Sequence, residues 1–369
     1  MNQELEWIAS RLAKATRPEE VFGEIKDGSP DSLPALRRIY HSMAKVAHPD
    51  VYRIPEEKVL AQTAFSQLVR WFDQAEEKLK SGSYGQPAQV ILRVRNREYE
   101  IQGSFRADKR FNFYPCCFRE DGRTQPAVLR IVRDPRENEI SQNEIRVLNL
   151  LLNGREASKY SPYIPRPIDE FIYEDGMGSR QAAVFEKYEG WCSLEDVHKA
   201  YPRGIDPKDM AWMWRRLLVA LGFAHINSVI HGAVLPGNIW IQPEQHGVML
   251  KNWFYAVHHP EVTGEIIPEI DPGFMAWYPQ ESLNHEIPIF GSDLSMSARC
   301  MIHLLGGDAE RGTMPDSIPN PLRTFLRGSI LPGRRAPQDA WALKHEFDDL
   351  LERLWGERRF HPFKMNFPN

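Results

Sequence analysis

The hydrophobic period changes once along this 369-residue chain, and that change constrains the fold more than any single motif. Before the run Ser81-Gly82-Ser83-Tyr84-Gly85-Gln86-Pro87 the apolar residues recur every three or four positions, as on helices. After it they first alternate, as on strands. Turn and linker residues fill the run itself. Two periods separated by such a seam predict two bodies: residues 1–80, a linker at 81–88, and residues 89–369. With 42% hydrophobic and 26% charged residues, each part has the composition of a packed domain, and disorder along the whole length is excluded.

The first segment reads as nearly all helix. Glu4–Lys14 places Leu5, Ile8 and Leu12 on one face, and a short helix over Pro18–Ile25 follows with proline in its first turn. Leu36, Tyr40, Met43 and Ala47 form a second stripe that ends at His48-Pro49-Asp50, because Pro49 disfavours the helical region at His48. Val59–Leu79 carries Ala64, Leu68, Phe72, Ala75 and Leu79 inward. Neither stripe can be buried alone, so the expectation is an antiparallel hairpin with His48-Pro49-Asp50 at its tip. From Pro34 to His48 there are three cations, Arg37, Arg38 and Lys45, and no acid. Such a face suits an acidic docking surface.

On these residues the segment from about 17 to 80 resembles a J domain of the DnaJ type: a short PEEVFG helix, a basic helix, the HPD tripeptide, and a helix carrying Ala64-Phe65-x-x-Leu68. The resemblance implies docking on a DnaK-type heat-shock chaperone and stimulation of its ATPase. His48, Pro49 and Asp50 would be the trigger, and Arg37, Arg38 and Lys45 the docking charges. The loop Val51–Pro55 departs from the pattern, having Arg53 as its one basic residue. The alternative is an ordinary helical hairpin in which HPD is only a turn.

The second segment opens with three strands, Arg97–Ile101, Asn112–Phe118 and Ala127–Val132, then an amphipathic helix over Asn138–Leu152. Strands near Ile168–Tyr173 and Ala182–Glu186 follow, and then helices over Lys208–Asn227, Ser292–Leu305 and Gln338–Trp355. The expected fold class is α+β: an all-α hairpin followed by a small antiparallel β lobe with one helix and a larger helical lobe.

This order resembles a protein kinase over about 89–369, and the motifs can be compared one at a time. In Ala127-Val128-Leu129-Arg130-Ile131-Val132, Arg130 stands where a kinase has its phosphate-pairing lysine. Glu144 stands at the position of that lysine's helical partner. A planar guanidinium does not substitute for a compact ammonium at a phosphate pair. Between the first two strands, Gly103 is the one glycine left of an expected three, and side chains such as Phe105 crowd a loop that should cradle phosphates. His231-Gly232-Ala233-Val234-Leu235-Pro236-Gly237-Asn238 aligns with H-R-D-L-x-x-x-N. Ala233 replaces the aspartate that accepts the substrate proton, while the metal-binding Asn238 is kept. At D-F-G, Asn252 replaces the magnesium-binding aspartate. A general base alone contributes roughly 10²–10⁴-fold to rate, and a neutral amide is a poor replacement for a carboxylate ligand of Mg²⁺. The architectural positions are better kept. Tyr278-Pro279-Gln280-Glu281 resembles the A-P-E end of an activation segment, with Glu281 expected to pair with Arg335. Asp293 matches the aspartate that holds backbone amides near the catalytic loop.

Other chemistry finds little support. His258-His259 and the pair His225/His231 lack cysteine or carboxylate partners at ligand spacing, so no metal is expected. Cys116 and Cys117 are adjacent on a strand, and neither a disulfide framework nor a zinc site follows from four cysteines in this arrangement. Trp212, Trp214, Trp341 and Trp355 read as packing residues. The basic aromatic stretch Arg358–Lys364 is weak ground for a nucleic-acid site, and a net charge of −4 supplies no global basic field. No apolar run is long enough to span a bilayer, and no secretory signal is read at the start, so a cytoplasmic location without membrane contact is expected.

The sequence therefore predicts a J-domain co-chaperone that is not itself an enzyme and needs no cofactor. Its kinase-like domain would recruit an unknown client or scaffold protein, with residual nucleotide binding left open. The alternative is an atypical protein kinase or a pseudokinase that senses a nucleotide or metabolite.

Overall fold

In the computed structural model, residues 2–15, 17–25, 32–81, 84–85, 90–102, 106–176 and 178–365 are described. The helical stripes of the first segment become α1 (Gln3–Lys14), α2 (Pro18–Phe22), α3 (Ser32–Ala47) and α4 (Pro55–Ser81). Asn2 caps α1 by accepting from the Glu4 amide at 3.0 Å. Helix α2 stops at Phe22, three residues short of the expected Ile25, because Gly23 takes φ 75° and turns the chain. Leu5, Ile8, Leu12, Leu36, Ala47, Ala64, Leu68 and Ala75 share one core. Tyr40 and Phe72 sit at its edge, ring against ring at 4.3 Å.

The chain forms two units, residues 1–90 and 91–369. The expected linker is shorter than its composition suggests. Tyr84 is buried in the first core and donates its hydroxyl to the Gly23 carbonyl at 2.9 Å, while the Gly85 amide donates to Glu19 at 3.0 Å. An aromatic ring that can bury itself is not a spacer. Gly82, Ser83 and residues 86–89 lie outside the described residues.

The second unit begins with a seven-stranded sheet. Its strands are β1 (Val90–Val94), β2 (Arg97–Ile101), β3 (Arg106–Ala107), β4 (Phe111–Glu120) and β5 (Arg123–Val132), then β6 (Pro167–Asp175) and β7 (Gly178–Glu186). The order is β1-β2-β4-β5-β7-β6, with β3 on β4. Between β5 and β6 run α5 (Asn138–Leu152) and the short α6 (Ala157–Tyr160). Ile145, Val147, Leu148 and Leu151 give α5 its buried face.

The larger lobe follows: β8 (Cys192–Ser193), α7 (Leu194–Ala200), α8 (Pro207–Ile226), β9 (Val229–Ile230), β10 (Ile239–Gln242), β11 (Gly247–Leu250) and β12 (Val257–His258). After these come α9 (Pro260–Thr263), α10 (Gln280–Leu283), α11 (Phe290–Leu304), α12 (Asn320–Ser329) and α13 (Ala340–Trp355). Helix α8 is buried on almost every side, as a helix at a lobe centre must be. Trp214 lies wholly inside, donating its indole N–H to Ser297 of α11 at 3.0 Å. No described helix is long and apolar enough to cross a membrane.

Candidate functional site

The sheet register decides what surrounds Arg130. This residue faces Phe113 on β4 and Ala183 on β7, while Phe111 faces Val132 and Phe185 faces Val128. Phe111 and Phe185 are therefore its diagonal neighbours on the same sheet face, one on each side. The guanidinium carbon lies 4.2 Å from the Phe111 ring centroid and 4.7 Å from that of Phe185. Its edge donates to Glu144 of α5 in a short buried ion pair. Glu144 also accepts from the Trp253 amide at 3.1 Å. Two rings and a carboxylate crowd the buried cation, which leaves little room for an incoming phosphate. Residues Gly103–Phe105 of the expected phosphate loop lie outside the described residues.

The catalytic-loop positions meet in a chain of neutral hydrogen bonds. Asn238 donates to the Ala233 carbonyl at 2.9 Å, and Asn252 donates to the Asn238 side-chain oxygen at 2.7 Å. Ala233 is fully buried. His231 donates Nε2–H to the Lys251 carbonyl at 2.9 Å and accepts the Ala233 amide at Nδ1, 3.2 Å away. Burial pushes the His231 pKa down, so the ring is a neutral structural link. The Asn252 amide thus occupies the Asn238 side-chain oxygen, and the Asn238 amide the Ala233 carbonyl. Among the described residues no group of three or more side chains is placed to hold a metal ion.

Asp293, at the start of α11, is completely buried and accepts from the His231 amide at 2.8 Å and the Gly232 amide at 2.9 Å. His225 approaches the same carboxylate at 3.1 Å. Three donors on one carboxylate fix the loop backbone, in a loop that carries no acid of its own between His231 and Asn238. The expected Glu281–Arg335 pair does not form among the described residues. Glu281 accepts from Ser292 at 3.2 Å, and Arg335 is exposed on a short turn. Gln338 serves the N-terminus of α11 in its stead, accepting from the Gly291 amide at 3.3 Å.

The fold that holds these positions can be compared with solved structures. The kinase domain of BubR1 is similar at a TM-score of 0.55 and 12% identity, over 77% of this chain and 93% of that one. Vaccinia related kinase 3 is similar at 0.53 and 17%, over 73% and 91%. The fold is kinase-like. No protein-family model matches the chain.

Four further residues shape this kinase-like cleft. Lys251, just before Asn252, holds its ammonium 3.5 Å above the Trp240 ring. Burial pulls its pKa down to about 8, with Glu144 opposing and Arg130 and Arg106 reinforcing the shift. Trp253 is wholly buried, donates its indole N–H to the Leu250 carbonyl at 2.7 Å, and meets the His231 ring edge-on at 4.6 Å. Arg110, just before β4, makes short contacts with Glu137 ahead of α5 and with Glu269, and donates to the Tyr255 hydroxyl at 2.7 Å. Asn143 adds bonds from α5 to the Phe254 carbonyl at 3.1 Å and the Ala256 carbonyl at 2.9 Å.

The tip of the first unit has opposite properties. His48 ends α3, and Pro49–Val51 form one 3-10 turn before α4. The His48 Nδ1 accepts from the Asp50 amide at 3.3 Å, and its ring meets Phe65 edge-on at 5.2 Å. Asp50 projects into solvent with its side chain 79% exposed. Tyr52 closes the turn, donating to the Val46 carbonyl at 2.7 Å. Val51, Ile54 and Val59 lie exposed beside it. Arg38 and Lys45 are exposed on α3, but Arg37 is met at 3.2 Å by Glu76 of α4, which also binds Lys80. A reading of α3 alone cannot see that acid.

Proposed function

We propose that the chain is a J-domain co-chaperone whose first unit stimulates a DnaK-type heat-shock ATPase, and whose kinase-like unit binds a client or scaffold without catalysing phosphoryl transfer. The observation that carries the first part is the exposed His48-Pro49-Asp50 turn beside a helix that presents Arg38 and Lys45 to solvent. A polar turn that serves only to reverse the chain has no need of exposed valine and isoleucine around it. Those apolar side chains and cations supply the mixture that a transient protein contact uses.

The inert cleft is inferred from the buried groups. Arg130 is enclosed by Phe111, Phe185 and Glu144, and Asn238 and Asn252 bind each other. Proton acceptance and Mg²⁺ chemistry have no carboxylate at the two expected positions. The work of this unit on the present reading is recruitment. A client held on the same chain as the trigger experiences an effective concentration on the order of millimolar when the connection is short. A nucleotide-sensing pseudokinase is the second reading, supported by the half-buried cation Lys251, and it requires the rings to leave Arg130.

Single-turnover ATP hydrolysis by a DnaK-type chaperone tests the proposal. Acceleration by the intact chain that disappears with His48→Gln supports it. No acceleration by the intact chain, with the chaperone of its own cell, removes the co-chaperone reading. Label transfer from Mg²⁺–ATP to any protein, lost on Lys251→Met, would remove the inert-cleft reading.

A further inference from the structure

After α13 the chain turns back over its own lobe and walls a half-open space that none of the kinase-like motifs uses. The turn depends on Gly356, which takes φ 71° and ψ −152°, a region open in practice to glycine alone. The far end of the returning strap is pinned. His361 binds Asp209 at 2.7 Å, the His361 carbonyl accepts from His246 at 2.7 Å, and Phe363 is buried against Tyr201 and Trp212. Between the pinned ends lies a cavity of about 540 Å³, bounded by α8, α13 and the strap. That is within the range of small-ligand sites.

Its charge is unbalanced. Asp348 is shared by three cations: Arg215 through a short contact, Lys344 at 2.8 Å and Arg358 at 3.0 Å. Burial works to raise the Asp348 pKa, and the bonds from Lys344 and Arg215 outweigh it and hold it low. Lys208 and Arg359 also line the space, and neither has a carboxylate within ion-pair distance among the described residues. Four cations, Lys208, Arg215, Arg358 and Arg359, therefore line the space against one lining carboxylate, Glu357, with Asp348 bound to two of them, in a chain whose net charge is −4. Guanidinium groups are suited to phosphate because their forked donors match its oxygens.

The walls between the cations are aromatic. Trp355 and the exposed Phe360 flank the opening, Lys208 holds its ammonium 5.9 Å from the Trp355 ring, and Trp212 is backed by His246 stacked at 4.0 Å. We propose that this cavity binds a phosphate ester carrying a planar ring, of mononucleotide size, with the phosphate on Arg358, Arg359 and Lys208 and the ring against Trp355 and Phe360. The strap walls one side of a half-open space of about 540 Å³, the size of a small molecule rather than of a folded partner. The site is separate in residues from the kinase-like cleft.

Titration calorimetry of the full chain with AMP, GMP and 4-nitrophenyl phosphate tests this, with inorganic phosphate as the ring-free probe. At least one ring-bearing ester is expected to bind with Kd below about 1 mM, and inorganic phosphate roughly tenfold or more weakly. The double substitution Arg358→Ala/Arg359→Ala is expected to weaken the ester at least about tenfold, and added salt to weaken it in the parent. Lys251→Met, which alters the kinase-like cleft, leaves it unchanged. Gly356→Ala keeps every contacting side chain but misdirects the strap, and is expected to weaken binding as well; its added Cβ meets no atom within 4 Å. No binding by any ester at that concentration, equal affinity of parent and double variant, or equal affinity of inorganic phosphate overturns the proposal. So does a loss on Lys251→Met that the arginine variant does not show.

Discussion

The HPD turn and the kinase-like cleft both carry motif residues, yet they hold them in opposite ways. At the turn, Asp50, Arg38 and Lys45 point into water, and most of their hydrogen-bonding capacity is unspent. In the cleft, Glu144, His231, Asn238, Asn252 and Asp293 bind one another or the backbone. A polar group left exposed is available to a partner and adds little stability. One that is buried must be satisfied internally, and removing its partner is costly. The contrast separates a solvent-exposed turn from a cleft whose polar groups tie its elements together.

The largest expected break in this contrast is Asp293→Ala. It strands two backbone amides and His225 in the core and is expected to cost the second unit about 3–5 kcal/mol in denaturant unfolding. A loss under about 1 kcal/mol would mean the cradle is not holding the loop. Lys251→Met acts in the other direction. The folded pKa of this lysine lies near 8, below its ordinary 10.5. Between those values the unfolded chain binds more protons, so the stability of the parent rises with pH in that window. The variant is expected to be more stable than the parent by roughly 2–3 kcal/mol at pH 7, with the gap closing toward pH 10.5. A gap independent of pH would show the ammonium to be solvated.

Asn252→Asp replaces a donor with an acceptor facing the Asn238 oxygen, 2.7 Å away in the parent. A loss of about 1–2 kcal/mol is expected, and Mg²⁺ should not restore it. Recovery on adding Mg²⁺, read as a rise in melting temperature, would reveal a latent metal site and blur the distinction. The smallest effect belongs to the turn. His48→Gln is expected to change stability by less than about 0.5 kcal/mol, since its side chain is 46% exposed. A larger loss would make the turn structural, like the cleft.

Much of the architecture was legible because period and burial are local properties. The helix expected over Asn138–Leu152 has those bounds, and the strands at Arg97–Ile101 and within β4 and β5 stand where alternation placed them. Short elements, α7 and α12 among them, were not read, although Leu322, Leu326 and Ser329 give α12 one buried face. Long-range pairs were harder. Glu281 with Arg335 followed from an analogy of positions, but the slot at α11 went to Gln338. The neutralisation of Arg37 by Glu76 spans 39 residues and two helices. Lys251 stood next to a motif residue, and only its burial against Trp240 marks it out.

The sequence by itself determined that there are two units, where helices give way to strands, and that the neutral Ala233 and Asn252 stand where the kinase resemblance calls for acids. Those are statements about period and residue identity, which need no third dimension. Tertiary structure alone decided that Phe111 and Phe185 enclose Arg130, that Asp293 gathers three donors, and that three cations converge on Asp348. Each depends on strands in one register or helices in one packing, which bring together side chains that lie far apart along the chain.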